Sequence, residues 1–402
     1  MSKLKSNEKV IFCKKCVESN QRFVSSIPHK DKKNSYKTRT NFDDKNVCAA
    51  CRYFEKKSKI DWEKRDKELK KICDKYRRND GSYDILIPGS GGKDSVWVSH
   101  IMKHKYNMNP LTVTWAPHIY TKIGWLNFQN WVHSGFDNYL FTPNPLIHRK
   151  LTRLSFENLL HPFQPFAMGQ LYFPVKVAIE RNINLIMYGD AQAEKAGDDD
   201  LFNGGANIDT RIFSYDEKKE NLHFGGVNYN DLEKFGISKL DIEPYMPLDK
   251  KALKDFDLQA LVLPYYLNQN PQDNFYFAVE KSNFTPNEKR TDGTYTKYSS
   301  IDDKIDDLHH YTWFIKTGRG RCTEDSALEI RNKIIDREEA KSLVKQYDGE
   351  FPKTYFKDIL EYLKLSETEF HKIIDKFRPD HIWKKKNNKW ELKNAVWKDE
   401  EK

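Results

Sequence analysis

The chain has 402 residues, 38% of them hydrophobic and 13% aromatic, enough for one large or two ordinary domains with a real core. Its 68 basic and 59 acidic residues leave a formal net charge of +9, a modest, dispersed surplus that suits an anionic partner such as a nucleotide, a nucleotide sugar, an anionic sugar or RNA. The longest apolar runs, such as Asp84 to Pro88 and Leu261 to Leu263, are far too short to span a bilayer, and no apolar segment follows Lys3, Lys5 and Lys9; the expectation is a cytoplasmic protein with no secretory signal and no membrane partner.

The first 55 residues are polar and turn-rich, with a lysine-heavy stretch from Lys30 to Lys37. They hold four of the six cysteines as two Cys-x-x-Cys pairs, Cys13/Cys16 and Cys48/Cys51. In a cytosolic chain such pairs point to metal rather than to disulfides. Four thiolates suffice for a closed tetrahedral zinc site, which leaves no position for water and is therefore structural. A polar segment this short needs such a staple to fold. An iron–sulfur cluster is the alternative occupant, and His29 is either a competing ligand or a solvated loop histidine. Cys73, on an amphipathic helix, reads as a packed core thiol.

In chain order, Asp61 to Arg78 reads as a helix capped by Asp61, with Trp62, Leu69, Ile72 and Tyr76 on one face. Strands are predicted at Tyr83–Pro88, Leu111–Trp115, Asn138–Phe141 and Leu185–Tyr188. Helices are predicted at Asp94–Tyr106, Ile123–Ser134, Leu146–Leu160 and Gly169–Asn182. This alternation gives an α/β fold, a parallel twisted sheet with helices on both faces, whose ligands bind at the carboxyl ends of the strands. Residues 197 to 310 are rich in Gly, Asn, Asp and Tyr and yield no topology. From Glu324 the chain is helical again, with a capping box at Ser366-Glu367-Thr368-Glu369 and a lysine-rich end, Lys384 to Lys402, expected to fray. The domains so read are a metal module at 1–58, a nucleotide-binding α/β domain at 59–250, and a mostly helical region at 251–402 that contributes to the substrate site.

Ser90-Gly91-Gly92-Lys93-Asp94-Ser95, between an apolar strand and a helix, is the most informative hexapeptide. The glycines allow a tight turn that brings amides to an anion, and the following helix offers free N–H groups and its positive dipole end. Lys93 adds a mobile charge, Ser90 and Ser95 add hydroxyl donors, and Asp94 caps the helix or helps to hold Mg²⁺. The spacing differs from Walker A. It resembles the PP-loop, the SGGxDS signature of ATP pyrophosphatases, which cleave ATP between the α and β phosphates and leave AMP on a substrate oxygen. That resemblance implies ATP and Mg²⁺ as cofactors. It also implies an adenine contact at Thr114, which otherwise reads as an ordinary strand terminus, and a nucleotide or metal contact at Gly189-Asp190. Asp190 and Glu194 are candidate Mg²⁺ carriers near the triphosphate.

Further stretches carry a wider resemblance: both cysteine pairs, Ile60-Asp61-Trp62-Glu63, the PP-loop, Arg290 to Tyr298 (RTDGTYTKY), Asp302-Asp303-Lys304-Ile305-Asp306, Gly320 to Asp325 (GRCTED) and Tyr347 to Pro352 (YDGEFP). Over nearly its whole length the chain resembles the N-acetyl sugar amidotransferase family, which includes the pseudaminic-acid and O-antigen amidotransferases. The resemblance implies a bacterial surface-glycan enzyme that adenylates the acetamido oxygen of an N-acetyl sugar or nucleotide sugar and replaces it with ammonia-derived nitrogen. Lys93, Asp94, Asp190 and Arg321 are the residues expected to carry catalysis. Arg290, Lys297, Lys304, Arg319 and Arg321 are candidate partners for a substrate carboxylate or phosphate. Asp302, Asp303, Glu324 and Asp325 bind metal, orient ammonia, cap helices or pair with cations. The chain departs from the family at Gly189-Asp190-Ala191-Gln192, where relatives carry a Gly-Glu-Asn-Pro-like segment, and at Cys322, where they carry alanine. Neither Cys73 nor Cys322 suits glutamine hydrolysis. Ammonia is therefore expected free or from a separate glutaminase subunit, as implied for some family members. The rival reading is a PP-loop tRNA-modifying enzyme of the thiolation type, but the diffuse charge makes nucleic acid the less favoured partner.

Overall fold

Five short apolar segments, each bounded by turn residues, become the strands of one sheet. The computed structural model describes residues 9–21, 23–25, 29, 37–190, 194–195, 205–215 and 218–401. Strands β1 (Ile85–Pro88), β2 (Pro110–Trp115), β3 (Asp137–Phe141), β4 (Leu185–Tyr188) and β5 (Gln259–Val262) lie parallel in the order β5-β4-β1-β2-β3. The first four fall on the segments expected from the sequence. The fifth comes from the stretch for which no topology could be drawn. Helices α1 (Ala49–Lys57) and α2 (Trp62–Tyr76) precede the sheet; α3 (Lys93–His100), α4 (Lys122–His133), α5 (Pro145–Leu159) and α6 (Gln164–Glu180) connect its strands.

The pleat sorts the strand residues between two helical layers. Ile85 and Ile87 pack with Leu69 and Cys73 of α2 and with Trp97 and Val98 of α3. Leu86 points the other way, with Leu111, Val113 and Val175 of α6. Asp61 caps α2, accepting from the Lys64 amide at 2.9 Å. The helix after the glycine loop ends in a π turn at Ile101–Lys105. Helix α6 starts at Gln164, five residues before the predicted Gly169, because Pro165 in its first turn is compatible with a helix start; it also accommodates Pro174. The chain runs from β1 to β2 to β3 on one side and returns to the other side of β1 for β4. The switch point therefore opens a crevice at the carboxyl ends of β1 and β4.

After β5, α7 (Pro271–Ser282) packs along α3. Helices α8 (Asp306–Thr317), α9 (Arg321–Arg331), α10 (Arg337–Tyr347), α11 (Phe356–Leu363) and α12 (Glu367–Lys376) follow, and the capping box at Ser366 forms. The lysine-rich end does not fray as the sequence suggested. It forms an antiparallel hairpin, β6 (Trp383–Lys386) and β7 (Lys389–Leu392). Asn387 and Asn388 turn the corner at φ of 48° and 62°, a conformation asparagine tolerates. Trp383 fixes the hairpin by donating from Nε1 to the Ile315 carbonyl at 2.7 Å.

The cysteine-bearing segment packs on α9 and α10, with Cys13, Cys16, Val17 and Cys48 against Cys322, Ala327, Ala340 and Val344. Arg319, 3% exposed, joins the two parts by a bidentate pair with Glu18 at 2.6 and 2.8 Å and a further bond to Glu324 at 3.1 Å. His29 is neither solvated nor near the cysteines: it is buried, with Nδ1 2.7 Å from the Tyr172 hydroxyl. Most of the Lys30–Lys37 stretch lies outside the described residues. Removing one partner of a buried ion pair strands the other charge. Arg319→Ala is therefore expected to cost about 3–5 kcal/mol, while an apolar replacement of both Arg319 and Glu18 recovers most of it, as read by chemical denaturation.

Candidate active site

The glycine loop follows β1 directly, at the switch-point crevice. Gly91 has φ +86°, and a Cβ there would lie 2.5 Å from the Phe128 Cα, so glycine is required on both counts. Gly92 begins α3 without a side-chain cap, which leaves the first-turn amides and the positive dipole end for an anion. The Ser90 amide donates to Ser95 Oγ at 3.2 Å. Lys93 Nζ lies 2.7 Å from Asp94 Oδ2, and Asn274 of α7 donates to Asp94 Oδ1 at 2.7 Å. Burial pushes the Asp94 carboxyl up, but Lys93 and Asn274 outweigh it and hold it below its usual range.

Two cavities meet at this loop. One, of about 600 Å³, lies over the β1–β4 crevice between Pro88, Val113, Trp115, Tyr188 and Phe213, and takes Tyr53 of α1 into its wall. The other, of about 390 Å³, is lined by Ser90 to Asp94, Gly189 and Asp190 on one side and by residues from Tyr298 to Leu328 on the other. The first is walled mostly by apolar side chains, and the second carries most of the charged ones. Thr114 does not face the first cavity. It is buried on the opposite face of β2, its hydroxyl accepting from Asn138 Nδ2 at 3.0 Å, while its neighbours Val113 and Trp115 line the space. The alternation of a strand forces this, so Thr114 is not placed for the contact expected of it, and the residues on either side face the cavity instead.

The acidic wall reaches the loop through backbone pairing. The connection after β2 bridges Tyr120 to Asp303; the Thr121 amide donates to Asp302 O at 3.1 Å and the Lys304 amide to Ile119 O at 3.0 Å. Gly124 permits this contact, since a Cβ there would lie 2.4 Å from the Asp302 Cα. Asp303 is committed to structure: it accepts from His118 Nδ1 at 2.6 Å and from the amides of His118 and Ile305 at 2.8 and 2.9 Å. Asp302 accepts a hydrogen bond from the Ser90 side chain, yet burial, with Asp303 beside it, raises its carboxyl.

Of the five candidate cations for a substrate anion, only Arg321 lines the cavity. Arg290 makes a bidentate pair with Glu350 at 2.6 and 2.9 Å, which holds the Glu350 carboxyl at about 2. Lys304 is paired with Asp358 at 2.5 Å, Arg319 is spent on Glu18, and Lys297 is exposed away from the lining. Arg321 begins α9, whose N-terminus is capped from a distance: Asp348 accepts from the Gly320 and Thr323 amides at 3.0 and 3.1 Å. Its guanidinium bonds Asp325 at 3.0 Å and His310 Nε2 at 3.0 Å. Glu194 lines the cavity but pairs with Lys57 of α1 at 2.5 Å; Asp190 faces Lys195 at 3.1 Å. Ala191 and Gln192 lie outside the described residues. Sequence reasoning missed Asp306, Lys195 and His118. Asp306 closes the Asp302-to-Asp306 stretch, and His118 lies three residues past the carboxyl end of β2, which are the signals the sequence offers for these two.

The four cysteines converge. Cys13 and Cys51 sulfurs are 3.9 Å apart, Cys16 and Cys48 3.7 Å, and all four lie within 4.8 Å of one another. A tetrahedral ion with bonds of about 2.3 Å sets its sulfurs roughly 3.8 Å apart, so the donor set fits a single metal ion. The Lys15, Glu18 and Cys48 amides donate to these sulfurs at 3.4 to 3.5 Å. Arg331 donates to Cys16 Sγ at 3.6 Å and, with its other nitrogen, to the Glu194 carbonyl at 3.1 Å, so one side chain touches both the thiolates and the loop beyond β4. Cys322 is fully buried and burial pushes its thiol up; Cys73 is a core residue pushed up to about 12. No helix among the described residues is long and apolar enough to cross a membrane.

The sheet order and the glycine loop at its switch point define an α/β protein with a PP-loop-like turn, joined to a four-cysteine module. Residues 292–396 match the family model described as the C-terminal domain of WbpG-like LPS biosynthesis proteins, and this match supports the sugar amidotransferase resemblance. The chain is 34% identical over 73 residues to the uncharacterized protein MJ1599 of Methanocaldococcus jannaschii, and spans only 26% of that protein's length. Among solved structures it is similar, at a TM-score of 0.29 and 14% identity over 57% of this chain and 100% of the other, to an NH3-dependent NAD synthetase from Campylobacter jejuni. It is also similar, at 0.25 and 12% identity over 85% and 90%, to the U34-tRNA thiolase NcsA from Methanococcus maripaludis with its [4Fe-4S] cluster.

Two outcomes follow from this geometry. Lys93→Ala removes a charged donor at the glycine loop and is expected to weaken ATP binding by about 1.5–3 kcal/mol, roughly 10- to 150-fold, in calorimetric titration. Replacing Cys16 and Cys48 together with serine is expected to release the metal, lower the melting temperature and weaken ATP binding, because Lys57 and Arg331 then lose the module that seats them against Glu194.

Proposed function

We propose that this protein is an ATP-dependent, AMP- and pyrophosphate-forming amidotransferase that converts the acetamido group of an N-acetyl sugar, free or nucleotide-linked, into an acetamidino group during bacterial surface-glycan synthesis. The observation that carries the reading is the shared cavity: the glycine loop forms one wall, and the segment that matches the WbpG-like domain forms the other. That wall would present the acceptor to the α phosphate.

The chemistry runs in two steps. The amide oxygen attacks the α phosphorus, the bond to the β-phosphate oxygen breaks, and pyrophosphate leaves with its electron pair. Ammonia then adds to the adenylated carbon, and AMP departs with the C–O electrons. Lys93 and the α3 amides stabilise the charge that builds on pyrophosphate. Mg²⁺, when bound, neutralises the triphosphate, and Asp94, Asp190 and Asp302 are the residues that would hold it. Arg321 would orient a carboxylate or phosphate on the sugar. The thiolate spacing supports structural zinc at Cys13, Cys16, Cys48 and Cys51. Buried Cys73 and Cys322 cannot serve glutamine hydrolysis, which supports ammonia that is free or delivered by a separate glutaminase.

The cavity composition favours this reading over RNA modification. Eight carboxylates line the phosphate-side space beside Lys93, Lys195 and Arg321, a confined and mostly ion-paired setting rather than the open basic surface that an RNA backbone takes. None of the six cysteines lines either cavity, so no sulfur carrier faces the loop. The test is mass spectrometry of acetamido sugars incubated with ATP, Mg²⁺ and ammonium. The expected product is about one mass unit lighter, with AMP in equal amount; ADP as the spent nucleotide, or AMP formation that depends on tRNA, would refute the proposal.

A further inference from the structure

The adenylation step releases the proton of the secondary amide, and the ammonia step needs one returned to the same nitrogen. The carboxylates of the phosphate-side cavity differ sharply in whether they can take it. Asp94 is paired with Lys93, Asp190 with Lys195, Glu194 with Lys57, Glu324 with Arg319 and Asp325 with Arg321. Asp303 is filled by His118 and backbone amides. Asp302 lies against Ser90 at the phosphate seat. Asp306 differs from all of these. It lines the cavity from the first turn of α8, is 8% exposed, and has no Lys or Arg ion-pair partner among the described residues.

Its nearest ring explains why it stays unneutralised. His310 Nε2 lies 3.4 Å from Asp306 Oδ1, but the same nitrogen receives a hydrogen bond from Arg321 Nη1 at 3.0 Å. A nitrogen accepting from a guanidinium presents its lone pair, so it has no proton to give Asp306. His310 thus separates Arg321 from Asp306 while fixing both at the cavity wall.

We propose that Asp306 is the proton acceptor and donor of the amidation reaction. This rests on the reaction proposed above. As the amide oxygen bonds to the α phosphorus, the amide N–H bond breaks, its electrons form the C=N bond of the adenylated imidate, and the proton passes to Asp306. When ammonia adds, the C=N electrons return to the sugar nitrogen, which takes the proton back from Asp306. The resulting ammonium centre then gives one of its own protons to Asp306, regenerating the acid form. Loss of AMP with the C–O electrons draws a nitrogen lone pair into the C=N bond and gives the amidinium ion directly, and Asp306 passes its remaining proton to the departing AMP phosphate, returning to the carboxylate. Charge and protons balance, and no other reagent enters.

The surroundings suit this cycle. Burial pushes the Asp306 carboxyl up to about 7, reinforced by Asp302 and Asp303 and opposed by Arg321; Asp307 and His310 flank it on its own helix. A group that exchanges protons best near neutral pH is the efficient choice for such a shuttle.

The test compares wild type with Asp306→Asn and Asp306→Glu, using a responsive acetamido sugar, ATP, Mg²⁺ and ammonium. Three quantities are followed: acetamidino product, pyrophosphate release without ammonium, and ATP affinity by calorimetry. Asp306→Asn should lower both rates by about 10²-fold or more, the span expected of a lost general acid–base. Its ATP affinity should stay within threefold, and the rise in pyrophosphate release through pH 7 should vanish. Asp306→Glu should restore part of the rate and the pH limb. A D306N rate within threefold of wild type overturns the role alone, as does a matching loss of ATP affinity, which would make Asp306 part of the nucleotide or metal seat. A wild type that converts no acetamido sugar removes the reaction and this role together.

Discussion

The site depends on a few backbone hydrogen bonds between the connection after β2 and the segment from Ile301 to Lys304. These bonds tie residues about 180 positions apart, and Gly124 leaves the space for them. They set Asp302 against Ser90 of the glycine loop and start α8 so that Asp306 faces the same cavity. Without that clasp the glycine loop would still form between β1 and α3, but the cavity beside it would lose its opposite wall. Asp303 shows how fully the clasp is built: a carboxylate that could have served chemistry is used to hold an imidazole and backbone amides.

The cysteine module is part of the same construction rather than an appendage. Its helix α1 sends Tyr53 into the larger cavity and Lys57 to Glu194, and Arg331 touches both a cysteine sulfur and the Glu194 carbonyl. Arg319, Glu18 and Glu324 close the contact from the other side. A metal ion held by the four sulfurs would therefore stabilise more than its own loop: it would fix one wall of the larger cavity and the position of the chain beyond β4. Such buried ion pairs are costly to desolvate and are kept where they fix one arrangement against others, here the register of α9 relative to the module.

The electrostatics of the phosphate-side cavity follow from this packing. Five of its carboxylates are paired with a lysine or arginine, mostly one close by in the chain and in one case Lys57 of α1, and Asp303 is held by His118 and backbone amides, so the acidic wall is not simply repulsive. The exceptions are Asp302, at the loop, and Asp306, behind the His310–Arg321 bond. One arginine out of five candidate cations remains at the cavity; Arg290, Lys304 and Arg319 hold the C-terminal helices together and to their surroundings.

The sequence by itself determined what local chemistry can determine. Four strands, the capped helices, the glycine loop and the two cysteine pairs were legible because each is specified within a few residues by period, cap or spacing. Gly91 had to be glycine for a backbone angle that neighbours alone dictate. Tertiary structure decided the rest. Which face of β2 meets the ligand turned on the register of the pleat, so Thr114 went to Asn138 and Val113 to the cavity. The fate of several charges turned on packing: Glu194 met Lys57, Arg290 met Glu350, and Asp306 met His310 but no lysine or arginine ion-pair partner among the described residues. A charged side chain is defined by what lies within a few ångströms of it, and those neighbours are chosen by how helices and loops pack, a distance that no spacing in the sequence records.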